Sequence, residues 1–141
     1  MLKIKIILPI IFLFLFTTSS FASERFSAAG IDNDNEAIDY FNKIVHLIKI
    51  DDSCSLSNEI NFPIFVKIQN NKIKIMNKAD FINNYRNIFN NNFTNKIINQ
   101  TGNDLFATWQ GVSTSGGEIW FSLTKKKTDT DWVYKIITIN N

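Results

Sequence analysis

Few residues in this chain of 141 can carry reactive chemistry. His46 is the single histidine and Cys54 the single cysteine. A histidine is the natural first candidate for a general base near neutral pH. On a helix carrying Ala37, Ile38, Phe41, Ile44, Val45 and Ile48, however, His46 falls opposite the apolar stripe, beside Asp39 and Asn42, and is expected to face water. One His and one Cys are too few for a zinc site, which needs several converging ligands. Asp32, Asp34 and Glu36 form a short acidic cluster without a glycine-bearing calcium loop behind it; carboxylates there suit the positive end of a helix dipole. No Gly-x-Ser-x-Gly elbow occurs, and Gly116-Gly117 is an isolated pair of the hairpin kind rather than a phosphate loop. No metal or cofactor is therefore expected. Cys54 has no second cysteine in the chain to pair with and reads as a small buried thiol, an intermolecular disulfide being the alternative.

Aromatic residues offer more. Trp109, Trp120 and Trp132 each fall in a stretch with strand character. Large aromatic side chains dominate both cores and interfaces, so these three are read mainly as core. Trp109 and Trp120, with the polar neighbours Gln110 and Glu118, are the candidates for lining a ligand or partner surface.

The chain begins with Lys3 and Lys5, an apolar run from Ile6 to Phe16, and Ser20-Phe21-Ala22. A basic tip, a greasy stretch and a small-x-small site form the layout of a secretory signal peptide cleaved after Ala22. The run is shorter than the roughly 20 apolar residues of a membrane-spanning helix, so the protein left after cleavage is not expected to cross a membrane. Without residues 1–22, the 15 Lys and Arg fall to thirteen against 13 acids, a formal charge of zero. That balance argues against nucleic-acid binding, which calls for a basic surplus. Charge is nonetheless uneven, with eight acids and three bases in residues 23–60 and five acids and ten bases in residues 61–141.

Residues 23–31 lack periodicity and read as a flexible lead-in to a single domain over residues 32–141. Asn33 with Glu36 resembles a capping box opening the first helix. Asp51-Asp52-Ser53 can cap a short second helix containing Leu56 and Ile60. From Phe62 the period changes to two: Phe62, Ile64, Val66 and Ile68 alternate with Phe65, Lys67 and Gln69, and Asn70-Asn71 suit a hairpin turn into Lys72-Ile73-Lys74-Ile75. Asn77 and Asp80 open a further helix with the stripe Phe81, Ile82, Tyr85, Ile88 and Phe89, which the Asn90–Asn92 run ends or bends. A meander closes the chain, with strands at Leu105–Val112, Glu118–Leu123 and Trp132–Ile139 and a turn at Ser115-Gly116-Gly117. The expected class is α+β: N-terminal helices packed against a strongly bent antiparallel sheet, a cone-shaped half-barrel.

This order, with Asn61-Phe62-Pro63-Ile64, Lys78-Ala79-Asp80-Phe81-Ile82 followed by Tyr85 and Phe89, and Gly111 through Phe121, resembles the nuclear-transport-factor-two-like superfamily of cystatin-like cones. The resemblance implies a bent sheet wrapped round a long helix, with a pocket at the open end. Its members include isomerases, dehydratases, ligand binders, protein-binding modules and immunity proteins, so it leaves function open. For an isomerase it implies a pocket carboxylate with a tyrosine donor, here Glu118 and Tyr85; burial in such a pocket raises a carboxyl pKa into a usable range. The primary expectation is an exported, non-catalytic binding domain of the cell envelope, periplasmic or secreted, that takes a small apolar ligand or a protein partner, with an immunity or inhibitor protein as one form. A small isomerase or dehydratase is the alternative.

Overall fold

The computed structural model describes residues 24–125 and 131–141; the proposed signal peptide, residues 1–22, lies outside them. Each helix starts where a short polar side chain satisfies a free backbone N–H group. Asn33 accepts from the Asn35 N–H at the start of α1 (Asp34–Lys49). Asp52 does so for α2 (Ser53–Asn58), Asn77 for α3 (Lys78–Ile88) and Asn90 for α4 (Asn91–Ile98). The Asn run therefore starts a separate helix, burying Phe93 and Ile97.

Six strands form one sheet in the order β2-β1-β6-β5-β4-β3. They are β1 (Ile60–Ile68), β2 (Asn71–Ile75), β3 (Phe106–Thr108), β4 (Gly111–Ser113), β5 (Ile119–Lys125) and β6 (Trp132–Asn140). The domain is α+β, a curved sheet packed against helices and not closed into a barrel. It is mixed rather than purely antiparallel as expected, because β6 lies parallel to β1. The meander starts at the far edge and returns, so its last strand meets β1 running the same way.

One apolar cluster fills the space between helices and sheet. Ile64, Val66, Val112, Phe121, Ile136 and Ile139 meet Phe41, Ile44, Phe81, Ile88, Phe93 and Ile97. The buried stripe of α1 is rotated from the expected one: Tyr40 and Leu47 are buried, while Ile38 and Val45 are half-exposed. Tyr40 is drawn in by stacking on Tyr134 at 5.2 Å and by its contact with Phe121. Ile82, expected in the α3 stripe, is exposed.

Four local expectations are corrected. The hairpin turn is Gln69-Asn70, both with positive φ (47° and 71°), and Asn71 already pairs with Ile68. The strand expected at Leu105–Val112 is broken at Trp109-Gln110 into the β3–β4 hairpin, since Gly111 adopts φ 141° and turns the chain back. Cys54 is exposed, not buried. Residues 24–31 are docked rather than flexible: Phe26 (0 % exposed) and Ile31 are buried, and the Arg25 guanidinium donates to the carbonyl oxygens of Gly102, Asn103 and Leu105 at 3.2, 3.1 and 2.8 Å. The Asp34 carboxylate accepts from the N–H groups of Arg25 and Phe26. Among the described residues no helix is long and apolar enough to cross a membrane.

Candidate functional site

Helices cover one side of the sheet, and the chemistry-bearing residues gather on the other. Strand alternation puts Ile64, Val66, Ile119 and Phe121 toward the helices and Phe65, Lys67 and Trp120 away from them. The register then fixes which outer residues adjoin. One row crosses all six strands as Phe106, Ser113, Trp120, Thr138, Phe65 and Lys74. Beside it runs a shorter row, Asn140, Lys67 and Lys72.

At the β3–β4 end this face is aromatic. Phe106 meets Trp120 edge-on with centroids 5.5 Å apart, and the Trp120 indole N–H donates to the Gly117 carbonyl at 3.1 Å. Asn140 donates to the same carbonyl at 2.7 Å, tying the turn after β4 to the end of β6. Three residues beyond Phe106, Trp109 stands 84 % exposed at the hairpin tip beside the exposed Gln110, whose N–H donates to the Thr108 hydroxyl. Only glycine fits after the tip, because a side chain on Gly111 would meet the Phe121 carbonyl oxygen at 2.6 Å. The three tryptophans are not core as expected: Trp132 is also 62 % exposed, and Trp120 is half-buried.

At the β1–β2 end the face is basic. The Lys72 ammonium lies 4.3 Å and that of Lys74 5.9 Å from the centre of the Phe65 ring, a cation–π arrangement. A depression of about 360 Å³ opens here, lined by Phe65, Lys67, Asn70, Lys72, Thr138 and Asn140.

Glu118 closes the turn between β4 and β5. Its carboxylate accepts from the Thr114 hydroxyl at 2.6 Å, the Gly116 N–H at 3.1 Å and the Gln100 amide at 3.3 Å. The buried Thr114 hydroxyl in turn accepts from the N–H groups of Glu118 and Ile119, and the Gln100 carbonyl accepts from the Ser115 N–H. Burial is the largest single influence on the Glu118 carboxyl and pushes its pKa up. The hydrogen bonds from Thr114, Gln100 and the backbone together outweigh it and hold the pKa below the ordinary value. That is opposite to the raised pKa a general base needs. Tyr85, its proposed donor, is buried among Phe81 and Phe89 on α3; burial and the Asp51 charge push it up to about 12. The structure thus gathers Trp120, Glu118 and the Trp109-Gln110 tip around one hairpin system and leaves Tyr85 in the helical core.

A second cleft, of about 420 Å³, lies between α1 and the start of β6 and had no signal in the sequence reading. Tyr40, Tyr134 and Trp132 form its aromatic wall, with Glu36, Glu59 and Lys43 around it. Lys43 pairs with Glu59 at 2.7 Å, so this charge is already matched. Both tyrosines titrate higher than usual, first through burial and then through nearby carboxylates, Glu59 for Tyr40 and Glu36 with Asp34 for Tyr134. The Tyr40 hydroxyl donates to the Glu59 carbonyl at 3.2 Å. The Tyr40–Tyr134 stack joins positions 94 residues apart, beyond the reach of any local pattern.

Comparison with known proteins finds no matching family model, no matching curated protein and no matching solved structure.

Proposed function

We propose that this chain is an exported, non-catalytic binding domain of the cell envelope that engages a protein partner through the β3–β4 hairpin tip and the adjoining outer sheet face. The observation that carries this reading is Trp109, 84 % exposed at the tip of the β3–β4 hairpin. Presenting so large an apolar surface to water is unfavourable for the free domain, and tryptophan is among the residues enriched at interface hot spots. Phe106 and Trp120 extend the aromatic surface along the same hairpin system. The basic tip, apolar run and Ser20-Phe21-Ala22 site support export. Element order is the ground for reading the fold as nuclear-transport-factor-two-like. The isomerase-type alternative is weakened, since the Glu118 carboxylate is engaged by its own turn and kept ionised.

The test uses the exported chain as bait in an envelope extract of its native host, beside Trp109→Ala. Wild type is expected to retain one protein at near-stoichiometric yield, and the variant to lose it with Tm unchanged. Equal retention by both, or none by wild type, overturns the reading.

A further inference from the structure

The basic end of the outer face carries an arrangement that folding alone does not favour. Lys67 on β1 and Lys72 on β2 are direct cross-strand partners, and Lys74 follows on the same face. Like charges placed opposite one another in a sheet are destabilising. Lysines on an exposed edge strand guard against edge-to-edge pairing, which accounts for Lys72 and Lys74 on β2. It does not account for Lys67, which belongs to an inner strand and faces them. Among the described residues the ion pairs are Lys43–Glu59 and Arg86–Asp51, and neither involves these three lysines. Among the described residues no carboxylate lines the depression between them; its other polar groups are Asn70, Asn140, whose amide also donates to the Gly117 carbonyl, and Thr138, whose hydroxyl donates to the Ile137 carbonyl.

Resting on the proposed partner binding, we infer that this depression receives the carboxylate side chains of an acidic segment of the protein partner. A carboxylate seated between Lys67 and Lys72 neutralises the opposed charges, and Asn70 lines the same depression. The shape of the face selects a polypeptide over a compact anion. Five interstrand steps separate Phe106 from Lys74, a span on the order of 20 Å, with an aromatic ledge at one end and the lysines at the other. A chain with an apolar anchor followed by acidic residues matches both ends at once. The acidic excess of residues 23–60 stays off this face, which is built wholly from the basic second part of the chain.

The probe is a fluorescein-labelled decaglutamate peptide titrated into the exported chain and followed by anisotropy. Wild type is expected to bind it with an affinity that falls as salt rises. Lys67→Gln combined with Lys72→Gln is expected to weaken binding at least tenfold, whereas Lys67→Arg with Lys72→Arg and the distant Lys96→Gln stay within twofold. The glutamine pair is also expected to leave Tm unchanged or raised, since a repulsion is relieved. No binding at millimolar peptide, equal binding by the glutamine variant, or tighter binding of inorganic polyphosphate than of decaglutamate overturns the inference. Loss of partner capture by Trp109→Ala, together with full capture by the lysine variant, leaves the hairpin reading standing while this one falls.

Discussion

The Glu118 carboxylate is held by donors from three directions, and the same contacts decide its titration. Its folded pKa lies below the ordinary value, so ionisation and folding favour each other. The contribution is complete above the unfolded pKa and is lost as pH falls through the folded value. Glu118→Gln keeps the shape but replaces charge-assisted hydrogen bonds by neutral ones. It is expected to cost about 1 kcal/mol at pH 7, and the difference from wild type should shrink as the pH of urea titrations is lowered below 4.5, the reference value from which the group is displaced. A constant difference across that range would show that the carboxylate's charge is irrelevant to the turn. The neighbouring chemistry was partly legible: the Gly116-Gly117 turn marked where Glu118 sits, but not which way its carboxylate points. That direction depends on Gln100, which lies eighteen residues away and reaches the turn only through the fold.

At the level of elements, what depends on neighbours in sequence was readable and what depends on partners was not. Asn33, Asp52 and Asn77 cap helices because a short side chain meets an N–H two or three residues on, a purely local event; Asn90 does the same for α4, where the Asn run was expected only to end or bend α3. The β3–β4 hairpin escaped notice because its signal is Gly111 after the turn, inside an apolar run that resembles one continuous strand. The outer lysines alternated visibly at Lys72 and Lys74, yet the opposition of Lys72 and Lys67 follows from the turn register, which is set by Gln69-Asn70 rather than Asn70-Asn71. That two-residue turn is occupied by residues for which positive φ is unfavourable, more so for Gln than Asn. Gln69→Asn with Asn70→Gly supplies the preferred pair for such a turn and is expected to stabilise the protein by about 1 kcal/mol, seen as a higher urea midpoint with unchanged slope. A lower midpoint would mean that the turn is held by contacts of the Gln69 side chain.

On the scale of the molecule, the N-terminal segment acts as a strap. Phe26 enters the core while Arg25 grips three carbonyls around Gly102–Leu105. The described domain therefore includes residues 24–31. Phe26→Ala empties a fully buried aromatic site and is expected to cost about 3–4 kcal/mol; thermal unfolding of this variant against wild type measures it. A loss below about 1 kcal/mol would mean the segment is not docked in solution. Composition and periodicity could not show this, because a single buried aromatic has no period.

The parallel pairing of β6 with β1 has a further consequence for how the molecule is made. The strand nearest the C-terminus is the seam between the β1–β2 hairpin and the β3–β5 ribbon, so until it is synthesised no strand-to-strand hydrogen bonds join the two halves of the sheet. A growing chain can assemble its helices and hairpins, but the sheet is zipped only by its final strand, and both open borders stay exposed to wrong partners until then.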